Sequence, residues 1–257
     1  MFSGYDSIAS VYDNINSEIS YSAWADFIEE CFTRYLEKKP EILLDLACGT
    51  GSMTLELYSR GYDMIGADMS EDMLSIAMDK AYDREISGIL FIKQDMRSFE
   101  LYGTVGAVTC CLDSVNYLTE DGDLEKCFST VHNYLDPDGL FIFDVNTPYK
   151  FKNIYGNNSY IFEDNDADGH GAYCGWQNDY DEESRLCSFY LSVFTEEDDG
   201  RFSRSDEIQT ERCFELTELK NVLENCGFEF IGAYGDFSFS APHEDCERWY
   251  IVARAKK

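Results

Sequence analysis

The chain has 257 residues, and its 50 Asp and Glu against 20 Lys and Arg give a formal net charge of −30. A hydrophobic content of 44% with 15% aromatics is ample for a packed core, which excludes disorder as the main state and puts the acidity on a folded surface. Such a surface repels phosphate backbones, so a protein that grips DNA or RNA over several phosphates is excluded as well.

Residues 1–13 hold no basic residue ahead of an apolar run, so no secretory signal is expected. The longest apolar stretches, 41–47 and 106–112, are strand-length, far short of the roughly 18–20 residues of a membrane span, and no membrane partner is expected. The 10 cysteines lie scattered without a CxxC pair and read as reduced, mostly buried thiols of a cytoplasmic protein. Tyr5, Ile8, Ala9 and Tyr12, then Trp24, Phe27, Ile28, Cys31, Phe32, Tyr35 and Leu36, recur at helical spacing and predict an N-terminal helical cap over 1–39. From there strands are predicted at 42–46, 62–67, 89–93, 106–112 and 140–145, with helices at 52–59, 71–81 and 122–135. Strands joined by helices of this length need right-handed crossovers and a parallel sheet covered on both faces, so the fold class is α/β, doubly wound and Rossmann-like.

The alternation breaks after Asn146. Short β-rich runs at 160–162, 172–176, 186–194 and 207–214, separated by acidic turns, predict an antiparallel β insert over 147–214 with one wet face. A helix at 218–226 and strands at 228–234 and 248–255 bring the sheet to seven strands, in a domain of 40–146 plus 215–257.

The chemistry gathers at the strand ends. The strand at 42–46 runs into Asp45-Leu-Ala47-Cys-Gly49-Thr-Gly51 and opens directly into a helix. Glycine there lets backbone approach a ligand, and free amides at a helix start suit a carboxylate or phosphate. The second strand delivers Asp68, placed to accept both hydroxyls of a ribose. After the third strand, Asp95 can accept from an adenine amine while Met69 and Met96 sandwich the base. A glycine turn alone would also suit a dinucleotide fold, but Thr54 stands where GxGxxG needs its third glycine, which weakens a nicotinamide reading.

With these residues in order, the chain resembles class I S-adenosylmethionine-dependent methyltransferases, whose first motif reads acid-x-Gly-x-Gly-x-Gly, with Ala47 here in place of the first glycine. Residues 5–13 look like the N-terminal cap of the small-molecule subgroup, and the last strand pair like the family's reversed hairpin. In organisation the chain is similar to uncharacterised bacterial methyltransferases, amino-sugar N,N-dimethyltransferases and glycine or sarcosine N-methyltransferases. The resemblance implies S-adenosyl-L-methionine as cofactor and S-adenosyl-L-homocysteine as product. Asp45, Ala47, Gly49 and Gly51 would hold the methionine part, Asp68 the ribose, and Asp95 with Met96 the adenine. Cys111, in the segment after the fourth strand, would flank the sulfonium. Tyr12 and Tyr117 would stand near the transferred methyl as the catalytic candidates.

Methyl transfer asks chiefly for in-line alignment and exclusion of water, with no metal or covalent nucleophile required. The reading is transfer to nitrogen or oxygen of a small-molecule acceptor, neutral or cationic, with a homodimer as the expected assembly. Two alternatives stay open at this level: a non-catalytic S-adenosylmethionine-binding or regulatory protein, and a nucleotide-dependent oxidoreductase. Asp164-Asn-Asp166-Ala-Asp168-Gly169 opens like a calcium loop, but Gly175 stands where the closing Glu is needed. Asn146-Thr-Pro-Tyr149 is expected at the rim of the acceptor pocket. Among the histidines, His132 reads as structural, and His170 and His243 sit in loops within reach of a substrate.

Overall fold

The computed structural model describes residues 12–13, 16, 18–165, 171–197 and 199–257. Residues 5–11 of the expected cap motif, together with Asp166, Asp168 and His170, lie outside them. Helix α1 (Tyr21–Tyr35) starts where the Ser20 hydroxyl accepts from the Ala23 amide, and it buries Trp24, Phe27, Ile28, Cys31 and Phe32 on one stripe.

The main sheet follows in chain order as β1 (Ile42–Leu46), α2 (Ser52–Ser59), β2 (Asp63–Asp68), α3 (Glu71–Asp83), β3 (Leu90–Lys93), β4 (Val105–Cys110), α4 (Asp123–Tyr134) and β5 (Leu135–Asn146). Four antiparallel strands come next, β6 (Ser159–Asn165), β7 (Gly171–Asp181), β8 (Leu186–Glu196) and β9 (Phe202–Arg212). Helix α5 (Leu216–Asn225) leads back to β10 (Phe228–Tyr234) and β11 (Arg248–Ala255). The seven-stranded sheet has the order β10-β11-β5-β4-β1-β2-β3, and β6 to β9 form a separate four-stranded sheet. Strands β1 to β5 run parallel, while β11 is antiparallel to β5 and β10 to β11. This is the Rossmann-like arrangement expected from the alternating pattern, with the β insert following the fifth strand.

Strand periodicity splits the core in two. Leu44, Val108, Phe141, Phe143 and Ile251 face α4 and α5, whereas Leu43, Ala107, Leu140, Ile142 and Val252 face α1 and α2. With both faces covered, each strand reads as a continuous apolar run instead of an alternating one. In the insert β8 does alternate, burying Cys187, Phe189, Leu191 and Val193 and leaving the other face wetter.

Several boundaries differ from the sequence expectation, β9 (Phe202–Arg212) against 207–214 among them. Strand β5 begins at Leu135, which pairs with Val105 before a register shift lets Leu140 pair with Ala107; the Pro137-Asp-Gly139 segment is taken up by that bulge and does not end the strand. The fourth strand stops at Cys110, because Leu112 (φ 60°) and Asp113 (φ 54°) turn the chain into the left-handed region. In the insert, β6 spans Ser159–Asn165 and β7 spans Gly171–Asp181, longer than the runs at 160–162 and 172–176, since the polar residues on the wet face continue the ladder without an apolar signal.

Candidate active site

The first turn of the parallel sheet is built on alternating left-handed residues, Ala47 (φ 56°), Gly49 (φ 53°) and Gly51 (φ 75°). The two glycines do different work. A Cβ on Gly49 would meet nothing within 4 Å, and Gly49 borders the cavity; a Cβ on Gly51 would lie 2.8 Å from Ala77 Cβ, so this glycine lets α2 and α3 pack. Asp45, at the end of β1, lies beneath the turn. It accepts from Thr54 Oγ1 at 2.6 Å and Thr109 Oγ1 at 3.0 Å, tying β1 to α2 and β4. Burial pushes its carboxyl up to about 6 against the pull of the two hydroxyls, with the Asp68 charge adding to the rise.

Asp68 closes the turn from β2. Its Oδ2 accepts from the Gly49 amide at 2.8 Å and its Oδ1 from the Ser70 amide at 2.9 Å. The Met69 amide bears on the same carboxyl, and burial raises its pKa although the three amides pull the other way. Asp95 stands differently: the Arg97 guanidinium grips both its oxygens, at 2.9 and 3.1 Å from Nε and 2.6 Å from Nη2, and holds its carboxyl below the usual range. An adenine amine there would share a carboxylate that is already ion-paired.

These groups meet in a cavity of about 310 Å³ at the carboxyl ends of the strands, a size and place usual for a ligand in a doubly wound fold. Tyr12, Ala47, Gly49, Asp68, Met69, Asp95, Met96 and Tyr117 all line it, with Leu112 and the β9 residues Ile208, Gln209 and Thr210 on the far wall. Asp45 and Cys111 face a small recess of about 30 Å³ that shares Tyr12, Ala47 and Gly49 with it. Gly51 borders neither space. The residues fit S-adenosylmethionine: the Asp68 carboxylate on the cavity wall for the ribose, exposed Met69 beside the base position, and an open glycine at the turn.

A second cavity, of about 540 Å³, lies between the strand ends and the insert. It shares Tyr12, Leu112, Tyr117 and Gln209 with the first. Tyr117 donates to Gln209 Oε1 at 2.9 Å, and Gln209 Nε2 donates to Glu207 Oε1 at 2.6 Å, which docks β9 onto the turn after β4. Tyr12 packs on the insert's apolar cluster with Phe162 and Trp176. Burial first, then Tyr21 and nearby acids, push its hydroxyl far up, so it stays protonated.

Several site residues carried no signal in the sequence reading. Asp13 receives Thr50 Oγ1 at 2.7 Å and pairs with Lys80, whose Nζ donates to Thr50 and Ser52 at 2.9 Å each, locking the cap to the glycine turn. Asp113, Glu211, Lys150 and Arg248 meet around the second cavity from separate parts of the chain. Asn146 lies below them, donating to Glu211, while Thr147 of the same tetrapeptide is buried against the Cys246 carbonyl. His132 is structural, edge-on to the Phe228 ring and against Lys256 O. His243 lies outside both cavities, between Asp236 and Asp245. All the cysteines are free and most are buried, and among the described residues no helix is long and apolar enough to cross a membrane.

A family model described as a methyltransferase domain matches residues 43–139. The protein YqeM of Bacillus subtilis (strain 168), which carries a provisional methyltransferase name, is 33% identical over 254 residues, 98% of each chain. The crystal structure of an S-adenosylmethionine-dependent methyltransferase from Clostridium acetobutylicum ATCC 824 aligns with a TM-score of 0.86 at 29% identity, covering 98% of this chain and 99% of that one. A glycine/sarcosine N-methyltransferase of Halorhodospira halochloris is 24% identical over 253 residues, 91% of this chain and 85% of its own.

Proposed function

Because this chain belongs to the S-adenosylmethionine-dependent methyltransferases, we propose that it methylates a nitrogen or oxygen of a small molecule held between the strand ends and the β insert. The observation that supports this reading is the junction of the two cavities at Tyr12, Leu112, Tyr117 and Gln209. An in-line transfer needs donor and acceptor on opposite sides of one narrow passage, with water kept out.

S-adenosylmethionine supplies a methyl on a sulfonium, which leaves as a neutral thioether. The chain's own residues then have four tasks. Asp68 receives the ribose hydroxyls, and the turn at Ala47 and Gly49 takes the methionine part. Met69 and Met96 cover the adenine. Tyr12 and Tyr117 form the passage walls, Tyr12 offering an O–H and Tyr117 fixed by Gln209. A chain with net charge −30 favours a neutral or cationic acceptor over a polyanion.

S-adenosylhomocysteine is expected to raise the melting temperature, since a ligand at 100 times its dissociation constant adds about 2.7 kcal/mol. Asp68→Ala should remove most of that shift. An undiminished shift in the variant overturns the placement of the ribose. Release of S-adenosylhomocysteine across a screen of amines, sugars and phenols then identifies the acceptor, and Tyr12→Phe should slow turnover on it.

A further inference from the structure

Two carboxyls face each other inside the acceptor cavity. Asp113 follows Leu112 at the junction, and Glu211 lies two residues beyond Gln209 on the same face of β9, about 7 Å along the strand. Glu211 is buried, at 3% exposure, Asp113 is partly so, and the two carboxyls lie close enough for each to bear on the other's ionisation. Two carboxyls in one site resist ionising together, so one proton is held between them. Arg248 decides which carboxyl is ionised. Its Nη2 lies 2.7 Å from Asp113 Oδ1, and its Nη1 grips Asp144, whose Oδ2 also accepts the Asp113 amide at 2.9 Å. Asp113 is thus the pinned carboxylate, held in a left-handed backbone by its partners. Glu211 Oε2 accepts from the neutral Asn146 amide, Nδ2 at 2.9 Å, whereas Asp113 is ion-paired with Arg248, so Glu211 carries the shared proton.

We propose that Glu211 is the proton acceptor for an acceptor substrate that enters as an ammonium cation. The proposal rests on the methyltransferase reading and deepens it. Asn146 of β5 donates to Glu211, and the cavity that Glu211 lines is also lined by Asp113 and Tyr117 from the turn after β4, Lys150 and Tyr155 from the turn after β5, Glu247 and Arg248 at β11, and Tyr12 and Glu18 from the N-terminal segment. Arg248 is already spent on Asp113 and Asp144, and Lys150 donates to Asn146 Oδ1 and lies 5.0 Å from the Tyr155 ring. With Glu211 neutral, Asp113, Asp144, Arg248 and Lys150 balance. An incoming ammonium displaces the shared proton to solvent and leaves Glu211 as its counterion, beside aromatic walls of Tyr155, Tyr160 and Trp176 that also favour a cation.

The step then balances. One ammonium proton passes to the Glu211 carboxylate, giving the carboxylic acid and a neutral amine. The nitrogen lone pair forms the N–C bond as the C–S bond breaks, its electron pair passing to sulfur. The product leaves as the methylated ammonium, with Glu211 back in its resting protonation. Burial, then the Asp113 charge, already hold the Glu211 carboxyl well above the usual range, as a base working near neutral pH requires.

The test uses the full chain saturated with S-adenosylhomocysteine and a panel of primary and secondary amines, each matched to the alcohol of the same carbon skeleton. Amines should bind at least tenfold tighter than their alcohols. Calorimetry in buffers of different ionisation enthalpy at pH 6.5 should show about one proton released per amine bound by the wild type. Glu211→Gln should lower kcat/KM for the best amine by about 100-fold or more while leaving S-adenosylhomocysteine affinity within about twofold. Equal binding of amines and alcohols, no proton release, or an unaffected Glu211→Gln turnover overturns the proposal. Failure of S-adenosylhomocysteine to bind at all would instead overturn the methyltransferase reading on which it rests.

Discussion

Ala47 is the residue where this chain departs from the family's glycine pattern, and the backbone there has not departed with it. Its φ of 56° is left-handed, a conformation that costs a residue with a Cβ about 1–2 kcal/mol. Glycine would relieve that strain but adds about 0.5–1 kcal/mol of unfolded-chain entropy to be lost on folding. Ala47→Gly is therefore expected to stabilise the protein by about 0.5–1 kcal/mol by these terms, read as a rise in the denaturation midpoint at unchanged m-value. Its S-adenosylhomocysteine affinity should be unchanged, because the turn offers backbone there. A destabilised variant would show that the alanine methyl packs against something the strain argument neglects. Leu112 and Asp113, with φ of 60° and 54°, carry the same kind of strain, but there Arg248 and Asp144 hold it in place, as expected where geometry serves a site.

At the scale of elements, what was legible in the sequence was what local chemistry dictates. The strand-turn-helix at 42–59, Asp68 at the next strand end and Met96 after the third each announce themselves within a few residues. The acceptor side did not, because Asp113, Lys150, Glu211 and Arg248 become neighbours only when β9 docks on the β4 turn and β11 pairs with β5. Gly51 was legible as a glycine but not as a packing glycine, since Ala77 arrives from a different helix. The cap likewise shows its apolar stripe in sequence and hides its anchor. Lys80 of α3 reaches Asp13, Thr50 and Ser52 at once, which ties the N-terminal segment, the glycine turn and α3 together. Lys80→Met should leave the unliganded melting temperature nearly unchanged, because the pair is part-exposed. S-adenosylhomocysteine binding should weaken about fivefold, corresponding to ~1 kcal/mol, by isothermal titration. Unchanged affinity would mean that the cap closes the cofactor cavity without this anchor.

For the whole molecule, the charge of −30 and the buried acids of the site push stability in the same direction with pH, and salt separates them. Asp45 has an ordinary value of 3.8 and a folded value of about 6, so across that window the folded state holds more protons than the unfolded chain. Stability from this group is fully present below pH 3.8, is lost as pH rises through about 6, and does not change further above it. The difference corresponds to about 3 kcal/mol, and Asp68 and Glu211 shift the same way. Surface repulsion also grows as carboxyls ionise, but it acts through solvent, and raising ionic strength from about 0.01 to 0.15 M shortens the screening length from about 30 to 8 Å. Salt should therefore raise the melting temperature at pH 8 and flatten only part of its decline between pH 4 and 8. The part that survives high salt belongs to the buried carboxyls, and Asp45→Asn, which keeps the shape between Thr54 and Thr109 without the charge, should remove most of it while weakening cofactor binding. A decline that vanishes entirely in salt would place the pH dependence on the surface and leave Asp45 ionised at little cost.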